Sequence, residues 1–299
     1  MSFSGTVRTA LLPALLALPL LLAGCRMNEA VYSPSGDRIC YMRPPLVKVV
    51  EELDERHLAA DTVAAQLNVT LHDNEKNKDY HLVGTYLGDK DGNLRLQIKA
   101  TTGQTILDMG ALNDSMDVWL PRKGRFFRGQ RQELMNTSEC QLALLAHIGA
   151  CRELFFPRAW THNAIERRVT YEHGREVISV IEKPSFIRKR SRRLTVAPES
   201  ATVESVEVYD KFGREVGTVS YADYKMPGDA QPEADALGLL YPGRIVLQSH
   251  NATHTLDLEI EEINFNCDIP QEKFHVPMPE NQRVLDMAKA LRRNVNLWE

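Results

Sequence analysis

The chain has 299 residues, of which 43% are hydrophobic and 25% charged, with a formal net charge of −4. Those proportions belong to an ordinary globular protein and exclude wholesale disorder. The slight negative balance argues against general nucleic-acid binding.

In chain order the first feature is the apolar stretch 11–25, LLPALLALPLLLAGC. Arg8 supplies the only positive side chain before it. Its apolar core of about a dozen residues is too short to span a bilayer comfortably and ends in small residues, the layout of a secretory signal peptide. The ending Leu22-Ala23-Gly24-Cys25 resembles the bacterial lipobox. That resemblance implies a diacylglycerol thioether on Cys25, cleavage just before it and an N-acyl group on the new terminus. The plainer alternative is an ordinary signal peptide, or a membrane anchor that ends in Cys. Arg26 stands where lipoproteins retained in the inner membrane carry aspartate, which implies attachment to the outer membrane, facing the periplasm. No later apolar run reaches the length of about 18 residues that a spanning helix needs, so the expected attachment is the lipid. The expected organisation is a signal peptide over 1–24, a lipidated N-terminus and tether over 25–43, one domain over 44–279 and a helical tail over 280–299.

From Pro44 the pattern is helical. Leu46, Val49, Val50, Leu53, His57, Ala60 and Ala64 recur at helical spacing, with Glu51, Glu52, Asp54, Glu55 and Arg56 largely opposite, which predicts an amphipathic helix over 44–65. Short strands are expected at 67–71, 80–87, 94–98, 104–109, 115–120 and 124–129; Leu94, Leu96 and Ile98 alternate with Arg95, Gln97 and Lys99, the mark of a half-buried antiparallel strand. Ser138 with Gln141 forms a capping box for a second helix, apolar nearly all round and therefore buried, that stops by Pro157. Longer strands follow at 165–171, 177–181, 186–196, 203–209, 216–224, 243–250 and 253–265. Val284, Met287, Leu291, Val295 and Trp298 fall on one side of an expected terminal helix over 282–298.

With Cys25 set aside, Cys40, Cys140, Cys151 and Cys267 remain. Cys140 and Cys151 share the second expected helix, where eleven residues separate them by roughly 16 Å. A disulfide needs Cα atoms within about 7 Å, so these two do not bond each other; any bridge would run to Cys40 or Cys267, and four free thiols are the alternative.

Consecutive hairpins of this kind curl into one large sheet, and two helices need a face to cover. The expected fold is α+β, a large curled antiparallel sheet forming an unclosed β-barrel with two helices in its concave face. Asp117-Val118-Trp119-Leu120-Pro121, Val206-Glu207-Val208-Tyr209-Asp210, Leu240-Tyr241-Pro242-Gly243 and Phe265-Asn266…Phe274-His275-Val276-Pro277, in this element order, resemble the LolA/LolB-like lipoprotein carriers and their relatives. The resemblance spans roughly 44–279. It implies that Leu94, Leu96, Ile98, Val206, Val208, Ile245, Leu247, Leu256, Leu258 and Ile260 line a concave lipid-binding face; from the residues alone they are core. Whether helices fill that face or leave a lipid-sized cavity stays open.

No catalytic or metal site is expected. The nine histidines are scattered, the serines lack a nucleophile-elbow context and no Gly-rich phosphate loop occurs. The run Arg188-Lys189-Arg190-Ser191-Arg192-Arg193 has two readings, a solvated strand edge that blocks pairing or a contact with anionic headgroups. The chain is thus expected to be an envelope lipoprotein that binds a lipid or acyl chain and takes part in lipoprotein or lipid delivery, attached to the membrane by its lipid and needing no cofactor. The alternative is a membrane-tethered sensory or protein-binding module of the same fold with a protein partner in the envelope.

Overall fold

The computed structural model describes residues 31–32, 38–39, 46–131, 154–157, 164–172, 175–182, 189–197, 199–210, 212–227, 239–250, 254–280, 282–287 and 289. The chain divides into a unit up to Arg43 and a larger one from Pro44 onward. In the first, β1 (Val31–Tyr32) and β2 (Arg38–Ile39) form an antiparallel pair.

The larger unit opens with helix α1 (Leu46–Ala59). Val49, Val50, Leu53 and His57 fall on its buried face, while Lys48, Glu51, Glu52 and Glu55 stay in water. The helix ends at Ala59, short of the expected 65. Ala64 and Ala65 join β3 (Thr62–Asp73), because pairing on both sides of that strand outweighs the helical preference of alanine. Asn266 caps the helix from far along the chain: its side chain donates to the Ala59 carbonyl at 3.0 Å and accepts the Asp61 N–H at 2.7 Å. Asn266 tolerates the left-handed backbone this requires, at φ 54°.

A first meander continues with β4 (Lys78–Asp89), β5 (Leu94–Ala100), β6 (Thr105–Leu112), β7 (Ser115–Leu120) and β8 (Arg125–Gln130). A second comprises β9 (Ala164–Glu172), β10 (Arg175–Glu182), β11 (Lys189–Ala197), β12 (Thr202–Tyr209), β13 (Glu215–Ala222), β14 (Arg244–Ser249) and β15 (His254–Phe265). Strands β3 and β15 pair and join the two meanders into one sheet, which runs from the short strand β16 (Val284–Asp286) beside β8 at one end to β9 at the other. Among the described residues those two ends do not pair, so the sheet is unclosed. Register slips at Ile98, Val180, Thr195, Val208 and Ile260 each place an extra residue in one strand, which bends and twists the sheet toward a curl. Alternate residues of every strand from β3 to β7 and β12 to β15, with α1, form one continuous core.

Two further expectations change. Val284–Asp286, placed in a terminal helix by its spacing, is instead a short strand, β16, parallel to β8; helical backbone begins only at Met287. The edge strand β8 offers unpaired backbone groups, and pairing there satisfies them. The basic run does not lie on a sheet edge, because β11 is paired with β10 and β12. The body of the second expected helix lies outside the described residues. Its end, Leu154–Phe155, is helical and ahead of Pro157, and Leu154, Phe155 and Phe156 are buried.

Candidate lipid-binding face

All ten residues assigned to the concave face belong to the one core, and none is more than 4% exposed. Register shows how they align. Leu258 lies opposite Ile245 on one side and Val69 on the other, Leu247 opposite Leu256, and Ile98 opposite Leu107. Residues directly across an antiparallel pair share a face, so the apolar surface runs unbroken from β5 to β15 and on to β12.

Helix α1 covers part of this face and is tied down by polar side chains. Arg56 donates to the Ala201 carbonyl at 2.8 Å and to the Ser200 carbonyl at 3.2 Å, and pairs with Glu52. The His57 ring Nδ1 lies 2.8 Å from the Phe156 carbonyl. An aromatic group sits alongside: Tyr86 meets Phe155 edge-on at 5.4 Å, Phe265 meets Phe156 at 5.6 Å and Tyr241 at 5.7 Å. Tyr224, whose hydroxyl donates to the Val203 carbonyl at 2.6 Å, has its pKa pushed well above the usual phenol range by burial.

The opposite face is polar, except where segment 267–279 lies across β5 and β6 as a strap. Phe126, Phe274 and Val276 are buried here, outside the main core. Arg95 grips Asp108 through two bonds of 3.0 and 2.8 Å and donates a third at 3.1 Å to the Lys273 carbonyl, so the strap is held by the sheet's own ion pair. Asp117 and Arg128 form a second two-bond pair at 2.7 and 2.8 Å. Between the two pairs stands Gly110, where a Cβ would overlap the Phe274 carbonyl oxygen and come within 2.9 Å of Val276 Cγ2. Beside the strap opens a cavity of about 400 Å³, walled by Ala64, Gln66, Leu87, Glu262 and Ile269, with the free, half-buried thiol of Cys267 at its rim.

The resemblance motifs earn their positions structurally. Val118 and Leu120 are core, while Asp117 and Trp119 face the other way. Asp210, fully buried, accepts the backbone N–H groups of Phe212 and Arg214 and the Arg214 guanidinium at 2.7, 2.9 and 2.8 Å, which fixes the β12–β13 turn. Burial opposes its ionisation, but those donors outweigh it and hold the carboxyl below its ordinary value. The expected lipidation site, Cys25, and the thiols Cys40, Cys140 and Cys151 lie outside the described residues. Sequence reasoning singled out the segment around Phe274 but missed the Gly110 contact and the cavity beside it. Among the described residues no group of three or more His, Cys, Asp or Glu is placed to hold a metal, and no helix is long and apolar enough to cross a membrane.

No protein-family model and no curated protein matches the chain. Two solved structures share its architecture. A LolA superfamily protein from Nitrosomonas europaea is 15% identical with a TM-score of 0.51, the match covering 77% of this chain and 97% of that one. A DUF1329 family protein from Desulfovibrio piger is 9% identical with a TM-score of 0.50, covering 77% and 97%. At such identities the likeness is one of fold, and with the unclosed antiparallel sheet and the helix on its apolar face it establishes that the chain has a LolA/LolB-like fold.

Proposed function

We propose that this chain is a bacterial envelope lipoprotein that takes up a lipid or acyl chain against the concave face of its sheet and passes it on within the envelope. The carrying observation is the unbroken apolar face from β5 to β12, covered among the described residues by a helix with only three buried apolar side chains in its body, Val49, Val50 and Leu53. The magnitudes favour exchange. Lifting those side chains costs about 1.5–3 kcal/mol each, whereas each acyl methylene buried returns about 0.8 kcal/mol, so a chain of about a dozen methylenes compensates for the helix. Capture by burial needs no catalytic step. Leu22-Ala23-Gly24-Cys25 supports lipid attachment at Cys25, and Arg26 supports the outer membrane as the destination. A tether of fewer than twenty residues, 25–43, would then keep the face within reach of the bilayer.

The test is mass spectrometry of the full chain carrying Cys25→Ser, purified without detergent and then incubated with vesicles. Bound phospholipid in near-stoichiometric amount is expected. Protein that stays free of lipid under both conditions would favour the protein-binding alternative, which a partner captured by a variant with a polar concave face would then support.

A further inference from the structure

The turns at the two ends of the strands differ in charge. At one end lie residues 74–77, 101–104 and 121–124 and the β12–β13 turn, whose described cations are Lys76, Arg122, Lys123 and Arg214 against Glu75 and Asp210. At the other end, residues 60–61, 90–93, 113–114, 199–201 and 223–227 carry Asp61, Asp91, Asp114, Glu199 and Asp223 against Lys90 and Lys225. One end of the sheet is therefore basic and the other acidic among the described residues. Asp210 is buried and committed to its own turn, so it does little to offset the cations around it. Lys78 and Arg125, the first residues of β4 and β8, extend the basic end, with Glu215 of β13 as the acid beside them.

Two exposed aromatic side chains stand at this same basic end, Phe212, 56% exposed, and Tyr80, 37% exposed. Each has a cation over its ring, Arg214 at 5.2 Å from the centre of Phe212 and Lys78 at 5.0 Å from that of Tyr80. Phe212 is held out on a fixed turn, because Asp210 accepts its N–H and Gly213 takes the left-handed backbone, at φ 77°, that the turn requires. Tyr80 stands past the end of β5, whose last residue, Ala100, pairs with Leu82. It also ends the row Leu194–Val206–Val219–Leu247–Leu256–Leu71–Tyr80 of the concave face, whose other six members are buried. The apolar face thus reaches water at Tyr80, on the basic end. Five strand spacings, or about 24 Å along the sheet, separate β4 from β12, so the two rings mark a broad surface.

An aromatic ring with a cation beside it suits the boundary between acyl chains and headgroups, where the ring enters and the cation stays among the phosphates. Clustered cations are drawn to an anionic surface, and the acidic end is repelled by it. We propose that the basic end is a docking surface for an anionic membrane, with Phe212 and Tyr80 entering the headgroup layer and the acidic end pointing away. This gives the molecule an orientation in which the row ending at Tyr80 opens toward the bilayer. The docking surface stands on exposed side chains alone, so it holds or falls separately from lipid uptake.

The experiment places the full chain on vesicles and reads depth locally. Phe212→Trp puts a fluorophore on the basic end, and Leu58→Trp puts one at an exposed position by the opposite end, about 35 Å away along β3. Each signal is read as the difference from the parent chain, which has three tryptophans of its own. On vesicles of equal parts phosphatidylglycerol and phosphatidylcholine, brominated in their acyl chains, Phe212→Trp emission should fall by about half and Leu58→Trp emission should not change. On phosphatidylcholine alone the quenching of Phe212→Trp should weaken by about threefold, and adding Lys78→Gln with Arg122→Gln should weaken it as much on the mixed vesicles. Equal quenching at both positions, or at neither, would overturn the inference. Quenching as strong on phosphatidylcholine alone, or in the variant lacking Lys78 and Arg122, would overturn it as well. Bound lipid counted by mass spectrometry in the same samples reads uptake separately, so the failure of one reading is distinguishable from failure of the other.

Discussion

The two faces of this sheet cover apolar surface in opposite ways. On the outer side the strap is locked: Phe274 is buried, the Lys273 carbonyl is held by Arg95, and the backbone rests directly on Gly110. On the concave side a larger apolar surface lies under a helix held through side chains, Arg56 and His57 among them, and capped at one end by Asn266. The difference teaches that burial alone does not distinguish a permanent core from an exchangeable one. What distinguishes them is how the cover is attached. A cover whose backbone lies in direct contact with the sheet stays in place, whereas one held through side chains can be traded for a ligand of similar apolar area.

That contrast can be broken from the outer side first. Phe274→Ala should give the largest effect, a loss of about 3–5 kcal/mol in urea unfolding, with no change in lipid uptake because the concave face is untouched. Asp210→Asn should cost about 2 kcal/mol at neutral pH by removing charge from a carboxylate that accepts three bonds. The sign with pH follows from the lowered folded pKa. The contribution is present above the ordinary value of 3.8, declines as pH falls below it and is gone once the folded carboxyl is itself protonated. The gap between Asp210→Asn and the parent should therefore close in acid, as read by unfolding midpoints across that range. Gly110→Ala should cost about 2 kcal/mol through overlap with the strap, and the fluorescence of Trp119, which packs 6.3 Å from Phe126, should shift as the strap lifts. The smallest cost belongs to the concave side. Arg56→Ala should lose only about 1 kcal/mol, yet it should speed amide exchange in α1 and accelerate lipid loading. Equal protection of α1 and the strap in exchange experiments would remove the distinction between the covers.

Much of this architecture was legible because strands advertise themselves by period-2 alternation: Leu94, Leu96 and Ile98, or Leu256, Leu258 and Ile260, leave little choice of face. Boundaries were less visible. Ala64 and Ala65 favour a helix locally, and only partners in β4 and β15 make them strand. Val284 and Met287 have helical spacing, but the edge of β8 takes the first of them into a strand. Gly110 carries no hint of its role, since the carbonyl it accommodates belongs to Phe274. The pairing of Arg193 with Glu207 needed the register of β11 on β12.

The seam between β3 and β15 has a consequence for how the molecule reaches this state. Each meander can zip up from neighbouring hairpins, but their union waits for partners such as Thr62 and Cys267, 205 residues apart in sequence. Loop closure over such a span makes that pairing the late and slow event. Until it happens both flanks of the seam offer open strand edges and an uncovered apolar face, the conditions that invite aggregation. A chain emerging in order would complete its first meander by about residue 130 and then wait for about the same length again before β15 could dock. Such a protein would benefit from a chaperone that shields β3 in the interval.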